Sequence, residues 1–382
     1  MDGFTFIHSG DLHLGKRFGH LPEEARAGPV RARADLPTRL AAVARQAGAR
    51  DVLLAGDTFD SETPTPAVLR QAMTAMATEQ DLTWWILPGN HDSLAAEALW
   101  ERAAPAGNVR LLAEAAPVEM APGVWLLPAP VPSRFPAADP TAPMADAATP
   151  EGAVRIGLAH GGIVDFSARG DGGGAAPGGT IAPDRAASAG LSYLALGDWH
   201  AARAVGPRTW YAGTPEPDGF RHGQPGRCLA VTLPGRAADA APQVRECETG
   251  QYLWRAPELA VTPRDDPAAL LRAALPEAPP DWRRTLVRAR AEGRCALPAR
   301  EALRAAADGL APEFCHFEID LRALRVEVSP DDLDAIAQSG ALRHAARALQ
   351  AEAADPAEDP RARDIASAAL ARLYALVRET SG

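Results

Sequence analysis

Five short apolar runs in this chain end the same way, at a glycine-containing turn crowded with Asp, Asn or His. Phe4 to His8 runs into Ser9-Gly10-Asp11-Leu12-His13, and Val52 to Ala55 into Gly56-Asp57-Thr58-Phe59-Asp60. Thr83 to Leu87 stops at Pro88-Gly89-Asn90-His91-Asp92. Arg155 to Ala159 stops at His160-Gly161-Gly162, and Ser192 to Leu196 at Gly197-Asp198-Trp199-His200. Runs of this length and apolarity read as strands buried on both faces. Helical patterns separate the first three. Leu36, Leu40, Val43 and Ala47 share one face ahead of Gly48, a C-cap. Thr65-Pro66 is an N-cap and first-turn pair opening a helix to about Glu79. This β-α-β-α-β rhythm predicts an α/β sheet that displays polar groups at the carboxyl ends of its strands.

The rest of the chain is read around that sheet. Residues 16–34 are polar and Arg-rich and read as a loop or lid. Shorter strands are expected at 109–112, 124–128 and 228–233. Residues 129–151 read as a surface loop, and the glycine-rich stretch 169–180 as a flexible one. Strands without intervening helices in this half predict a second sheet, largely antiparallel, packed against the first. After about Pro257 the texture changes. Helices are expected at 267–275 and 298–310 and strands at 285–291 and 315–328. Two Ala/Leu/Arg-rich helices follow at 331–349 and 361–379.

The formal net charge of −10 argues against a protein that coats nucleic acid by bulk electrostatics. It leaves room for a local site whose metals supply the positive charge. Cys228, Cys247, Cys295 and Cys315 form no CxxC pair and read as isolated buried thiols. The N-terminus lacks a basic segment followed by a long apolar one, and no stretch reaches the roughly 20 apolar residues of a membrane span. The expectation is a soluble cytoplasmic protein with no membrane association. The pair Trp84-Trp85 reads as core.

Asp11 and His13 sit two apart on an extended segment, so they face the same side and together suit a divalent metal. Taken in order, Asp11-x-His13, Gly56-Asp57-x-x-Asp60, Gly89-Asn90-His91-Asp92, His160-Gly161 and Gly197-Asp198-x-His200 resemble the calcineurin-like metallophosphoesterase superfamily. Tyr193-Leu-Ala-Leu-Gly and Tyr211-Ala-Gly-Thr-Pro-Glu-Pro resemble its SbcD-type DNA repair exonucleases. The resemblance implies a four-layer α/β/β/α sandwich over residues 1–256 as the nuclease domain. It also implies a smaller α/β capping domain over 257–330 and C-terminal helices over 331–382 as a segment for partner docking. It implies two divalent ions, Mn2+ first, with Mg2+ or Fe2+ as substitutes. Asp11, His13 and His200 would hold one ion, Asn90 and His160 the other, and Asp57 both. His91 would act on the scissile phosphate, with Asp60 and Asp92 orienting ligands from behind.

The resemblance departs at Asp198, where the family pattern usually carries histidine. Three carboxylates would then face two ions, which favours hard cations. Asp198 could bind directly, through water, or leave the second site weakened. The implied activity is phosphodiester hydrolysis on DNA beside an SMC-like coiled-coil ATPase, with a homodimer expected by the same likeness. The alternatives are a phosphodiesterase or phosphatase on a small nucleotide-like substrate, and a catalytically weakened interaction subunit.

Overall fold

The computed structural model describes residues 3–381, apart from 105–106, 164–178, 222, 236–240, 278–281, 330–331, 333, 335 and 337–339. The glycine-rich stretch thus lies mostly outside the described residues. The chain divides into two compact units, Met1–Leu253 and Trp254–Gly382.

The first unit opens with β1 (Phe4–Ser9), α1 (Glu23–Ala34), α2 (Leu36–Ala47) and β2 (Asp51–Leu54). Then come α3 (Pro66–Thr78), β3 (Thr83–Ile86), α4 (Glu97–Ala103) and β4 (Val109–Leu111). The caps act as their residues require. Gly48 ends α2 at φ 69°, and the Thr65 side chain accepts from Val68 N–H at the start of α3. Strands β1 to β4 pair in parallel, with β11 (Arg227–Leu233) and β12 (Gln243–Glu248) added antiparallel on the β1 side.

The second sheet holds β5 (Val118–Ala121), β6 (Val124–Ala129), β7 (Val154–His160), β8 (Tyr193–Gly197), β9 (Arg203–Ala204) and β10 (Thr209–Tyr211), in the order β5-β6-β7-β8-β10-β9. The expectation of a largely antiparallel sheet is corrected here. The β6–β7, β7–β8 and β8–β10 pairs are all parallel, and only the edge pairs β5–β6 and β9–β10 are antiparallel. The connections 130–153 and 161–192 are long enough to return the chain to its starting edge, which is what parallel pairing needs.

Alternation along the strands sorts side chains between two cores. Ile7, Val52, Leu54, Trp84 and Ile86 meet the helices, packing on Leu40, Leu69, Met76 and Leu99. Phe6, Leu53, Ala55, Trp85 and Leu87 face the second sheet through Leu126, Ile156, Leu158 and Tyr193. Both tryptophans of Trp84-Trp85 are core, one on each face. Among the described residues, the outer face of the second sheet carries a short 3-10 turn, Ala142–Met144, the one-turn helix α5 (Arg185–Ser188) and loops. This is a mixed α/β sandwich.

The reading of 16–34 as loop is also corrected, because α1 is a regular helix. Its buried face is Ala25, Pro29, Ala32 and Arg33, which is helical spacing carried by small residues and one arginine. Arg33 is 1% exposed, and its guanidinium donates to the carbonyls of Leu12 and Glu216. The cysteines Cys228 and Cys247 are not isolated either. They are direct cross-strand partners on β11 and β12, both as free thiols.

In the second unit, β13 (Leu253–Arg255), β14 (Glu258–Val261), β15 (Thr285–Ala296) and β16 (His316–Glu327) form a sheet. It packs with α6 (Pro267–Ala273) and α7 (Leu297–Leu310) around Leu271, Val287, Leu303 and Phe314. Helices α8 (Gly340–Ala354) and α9 (Pro360–Ser381) close a small core around Ala346, Leu370 and Tyr374.

Candidate metal centre

The turns after β1, β2, β3, β7 and β8 converge at the edge shared by the two sheets of the first unit. Backbone bonds zip the first two turns together: Asp11 N–H donates to Gly56 O at 3.1 Å, and His13 N–H to Asp57 O at 2.9 Å. Asp11, His13, Asp57 and Asp198 all have positive φ, at 50°, 45°, 51° and 97°. Non-glycine residues rarely adopt that region, and such strain gathers where a site dictates the backbone. Glycines let the turns approach. A Cβ on Gly56 would come within 2.3 Å of His160 Nδ1, and one on Gly89 within 2.2 Å of Asp57 Oδ1.

Three close groups of ligand-type atoms result among the described residues: Asp11 with His13 and His200, Asp11 with Asp57 and His160, and His13 with Asp60 and His91. Asp57 Oδ2 lies 3.8 Å from His13 Nε2 and 3.5 Å from His160 Nε2, between the two sides of the site. Burial pushes its carboxyl up. The fields of His160, His13 and His91, with the His91 N–H bonded to Oδ1 at 2.8 Å, outweigh burial and hold it below the usual carboxylate range.

The donor set fits divalent cations on two observations. Neither ring nitrogen of His13, a residue only 2% exposed, makes a hydrogen bond, and burial lowers its pKa, which favours the neutral form that binds metal. The Asn90 amide turns one polar atom to His160 Nε2 at 2.8 Å and to both Asp57 oxygens at 3.2 and 3.0 Å. As NH2 that atom satisfies the carboxylate. As oxygen it joins a knot of acceptors that a cation reconciles.

Each remaining residue has a definite contact. His160 donates from Nδ1 to Ala55 O at 2.8 Å, which aims Nε2 into the site. Burial would lower its pKa, but the carboxylates of Asp57, Asp11 and Asp198 raise it to about 9. His91 donates from Nδ1 to Asp60 O at 2.9 Å, leaving Nε2 as its outward atom. Its ring meets the His13 ring edge-on at 4.9 Å. Asp60 Oδ1 is 3.4 Å from His13 Nδ1. Asp92 is fully buried and reaches no ligand side chain. It accepts from Phe59 N–H at 3.0 Å and Gly89 N–H at 2.7 Å, clamping the β2 and β3 turns together. Burial and the Asp57 charge push it up to about 7.

Asp198 belongs to none of the three close groups. Its N–H donates to both oxygens of Asp11, while its side chain, 38% exposed, keeps Oδ1 3.8 Å from His160 Nε2.

Sequence reasoning missed Asp218 and Lys16. Asp218 Oδ1 is 3.5 Å from His200 Nδ1, and its Oδ2 is 2.7 Å from Lys16 Nζ. Lys16 also reaches Asp60 Oδ1 at 3.7 Å, so a chain of charges joins His13 to His200 around the rim. Glu216, in the Thr214–Pro217 segment, is structural. Its fully buried carboxylate accepts from Gln251 and Tyr252 N–H and from Arg39.

Residues 4–170 match the model of the calcineurin-like phosphoesterase family. The matched span carries Asp11, His13, Asp57, Asn90, His91 and His160, while Asp198 and His200 lie beyond it. Its members typically use divalent metals, and the Asp/His groups described above suit that chemistry. A solved structure, TT1561 of Thermus thermophilus, is similar at 9% identity with a TM-score of 0.39, covering 65% of this chain and 99% of that one. No curated protein matches. No helix among the described residues is long and apolar enough to cross a membrane.

Proposed function

We propose that this protein is a two-metal phosphodiesterase that cleaves DNA as a repair nuclease beside an SMC-like coiled-coil ATPase, with Mn2+ as its preferred ion. The observation that carries the hydrolase reading is the convergence of Asp11, His13, Asp57, His160 and His200 on one buried edge, with His91 beside them. The DNA assignment rests on the likeness of Tyr193–Gly197 and Tyr211–Pro217 to SbcD-type nucleases.

Asp11, His13 and His200 would hold one ion, Asn90 and His160 the other, and Asp57 would serve both. Two ions held by these residues would supply positive charge for the phosphate and a water acidified towards neutral pH. The protein's own groups do the rest. His91 Nδ1–H is committed to the Asp60 carbonyl, which leaves Nε2 as the atom that would exchange a proton with the leaving oxygen. Asp218 pairs with the His200 ring, Asp60 lies 3.4 Å from His13 Nδ1, and Asp92 holds the two turns in register. Asp198 orients Asp11 through its N–H and would reach a bound ion only through water.

The test is incubation with Mn2+ and end-labelled linear DNA, beside bis-p-nitrophenyl phosphate. Release of nucleotides supports the nuclease reading. Hydrolysis of the small ester alone assigns the site to small substrates. Loss of both reactions in protein that holds two metals assigns an interaction role.

A further inference from the structure

Among the described residues, Phe135 is the most exposed large apolar side chain, at 69%. It stands in Ala129-Pro130-Val131-Pro132-Ser133-Arg134-Phe135-Pro136, where three prolines stiffen the backbone. This segment is tied to both turns that present Asn90 and His160. On one side, Val131 N–H donates to Pro88 O at 3.2 Å, Leu94 N–H to Val131 O at 3.0 Å, and Ala95 N–H to Pro132 O at 3.1 Å. Those bonds bracket Asn90 and His91. On the other side, Pro136 packs on Gly179 so closely that a Cβ there would lie 2.5 Å from Pro136 Cγ. Ile181 N–H then donates to Gly162 O at 2.9 Å, two residues beyond His160. Asp139 adds a pin through Ala182 N–H at 3.1 Å and Arg185 at 2.9 Å. The Arg134 guanidinium lies over the Phe135 ring, 5.8 Å from its centroid.

A phenyl ring held in solvent on a braced loop, with a cation above it, has the parts of a stacking platform. Aromatic faces bind unpaired bases irrespective of sequence, and an adjacent arginine takes the phosphate or extends the stack. The stiff loop limits the ordering lost on binding. We propose that Arg134 and Phe135 bind an unpaired nucleobase and its flanking phosphate at the Asn90–His160 side of the site, so that the substrate is a strand with a single-stranded or frayed end. This rests on the phosphodiesterase reading above and names its substrate class. A base in a closed duplex shows only its edges, so blunt, tightly paired ends would have to open before they are cut.

The test uses the full chain loaded with Mn2+ and a single-stranded oligonucleotide with 2-aminopurine near its end. Wild type should quench the 2-aminopurine on binding. Phe135→Ala should lose the quench and raise KM on single-stranded DNA roughly tenfold at unchanged kcat, while Phe135→Trp restores both. Arg134→Gln should raise KM severalfold. Hydrolysis of bis-p-nitrophenyl phosphate should stay within twofold in every variant. An unchanged KM and quench in Phe135→Ala overturns the proposal, as does an equal loss on the small ester, which would mean a structural role. If wild type quenches the probe but does not cleave it, the platform stands and the nuclease reading falls. If it neither quenches nor cleaves, both fall.

Discussion

Asp218 and His200 meet at 3.5 Å, carboxylate to Nδ1, while the other oxygen of Asp218 holds Lys16. Burial opposes charge on both partners. The pairing nevertheless raises the His200 pKa and, with Arg33 and Lys16, holds Asp218 well below the usual carboxylate range. The Nδ1 contact fixes the ring and leaves Nε2 as the atom for a cation. Asp218→Asn should therefore weaken affinity for one of two Mn2+ ions by about 10- to 100-fold, with activity largely recovered at high metal. Calorimetric titration of both proteins checks this. Two equal, unaltered affinities would contradict it.

His91 stands beside the ligands and is held by Asp60 O and Asp57 Oδ1. His91→Ala should cut kcat by about 100- to 10,000-fold and leave two metals per chain by elemental analysis. Loss of metal in proportion to activity would make His91 a ligand.

His160 gives the pH dependence. Its folded pKa, about 9, exceeds the reference 6.5. Its proton thus stabilises the metal-free protein fully below pH 6.5, and that contribution disappears as pH climbs through about 9. A cation bound to Nε2 must displace this proton. Metal affinity should rise with pH across that window, with proton release on uptake at pH 7.5. Titrations in buffers of different ionisation enthalpy count the protons. Uptake with no release would place the cation elsewhere.

Gly89→Ala should force Asp57 aside, because the added methyl meets both its carboxylate and its backbone nitrogen, at 2.2 and 2.3 Å. Overpacking of this kind costs about 1–3 kcal/mol. The melting temperature should fall and Mn2+ binding should fail together. A variant that melts like wild type and binds two ions would show that the turn can yield.

Much of this site could be read before any coordinates, for a physical reason. Strands buried on both faces must be almost wholly apolar, so the polar turns that end them stand out, and glycines mark where two turns must touch. Helix α3 was legible from Thr65-Pro66. Helix α1 was not, because alanines and the buried Arg33 mimic the composition of a loop. The parallel pairing of β6, β7 and β8 was hidden in connections with no periodic pattern. Asp218 was hidden because a carboxylate after Pro215-Glu216-Pro217 resembles any surface acid until the fold brings His200 to it. Its one signal was its place directly after Tyr211–Pro217, a segment already marked by the family likeness.

Lys16 is the only lysine in the sequence and sits between Asp60 and Asp218. Amine-directed chemistry therefore has one side chain to find, and it lies on the rim of the candidate metal centre. Tethering this protein to a sensor chip through that lysine would block the very opening being measured. A lysine-specific protease could cut the chain only after that residue, so the rate of that single nick reads out how firmly the rim is closed.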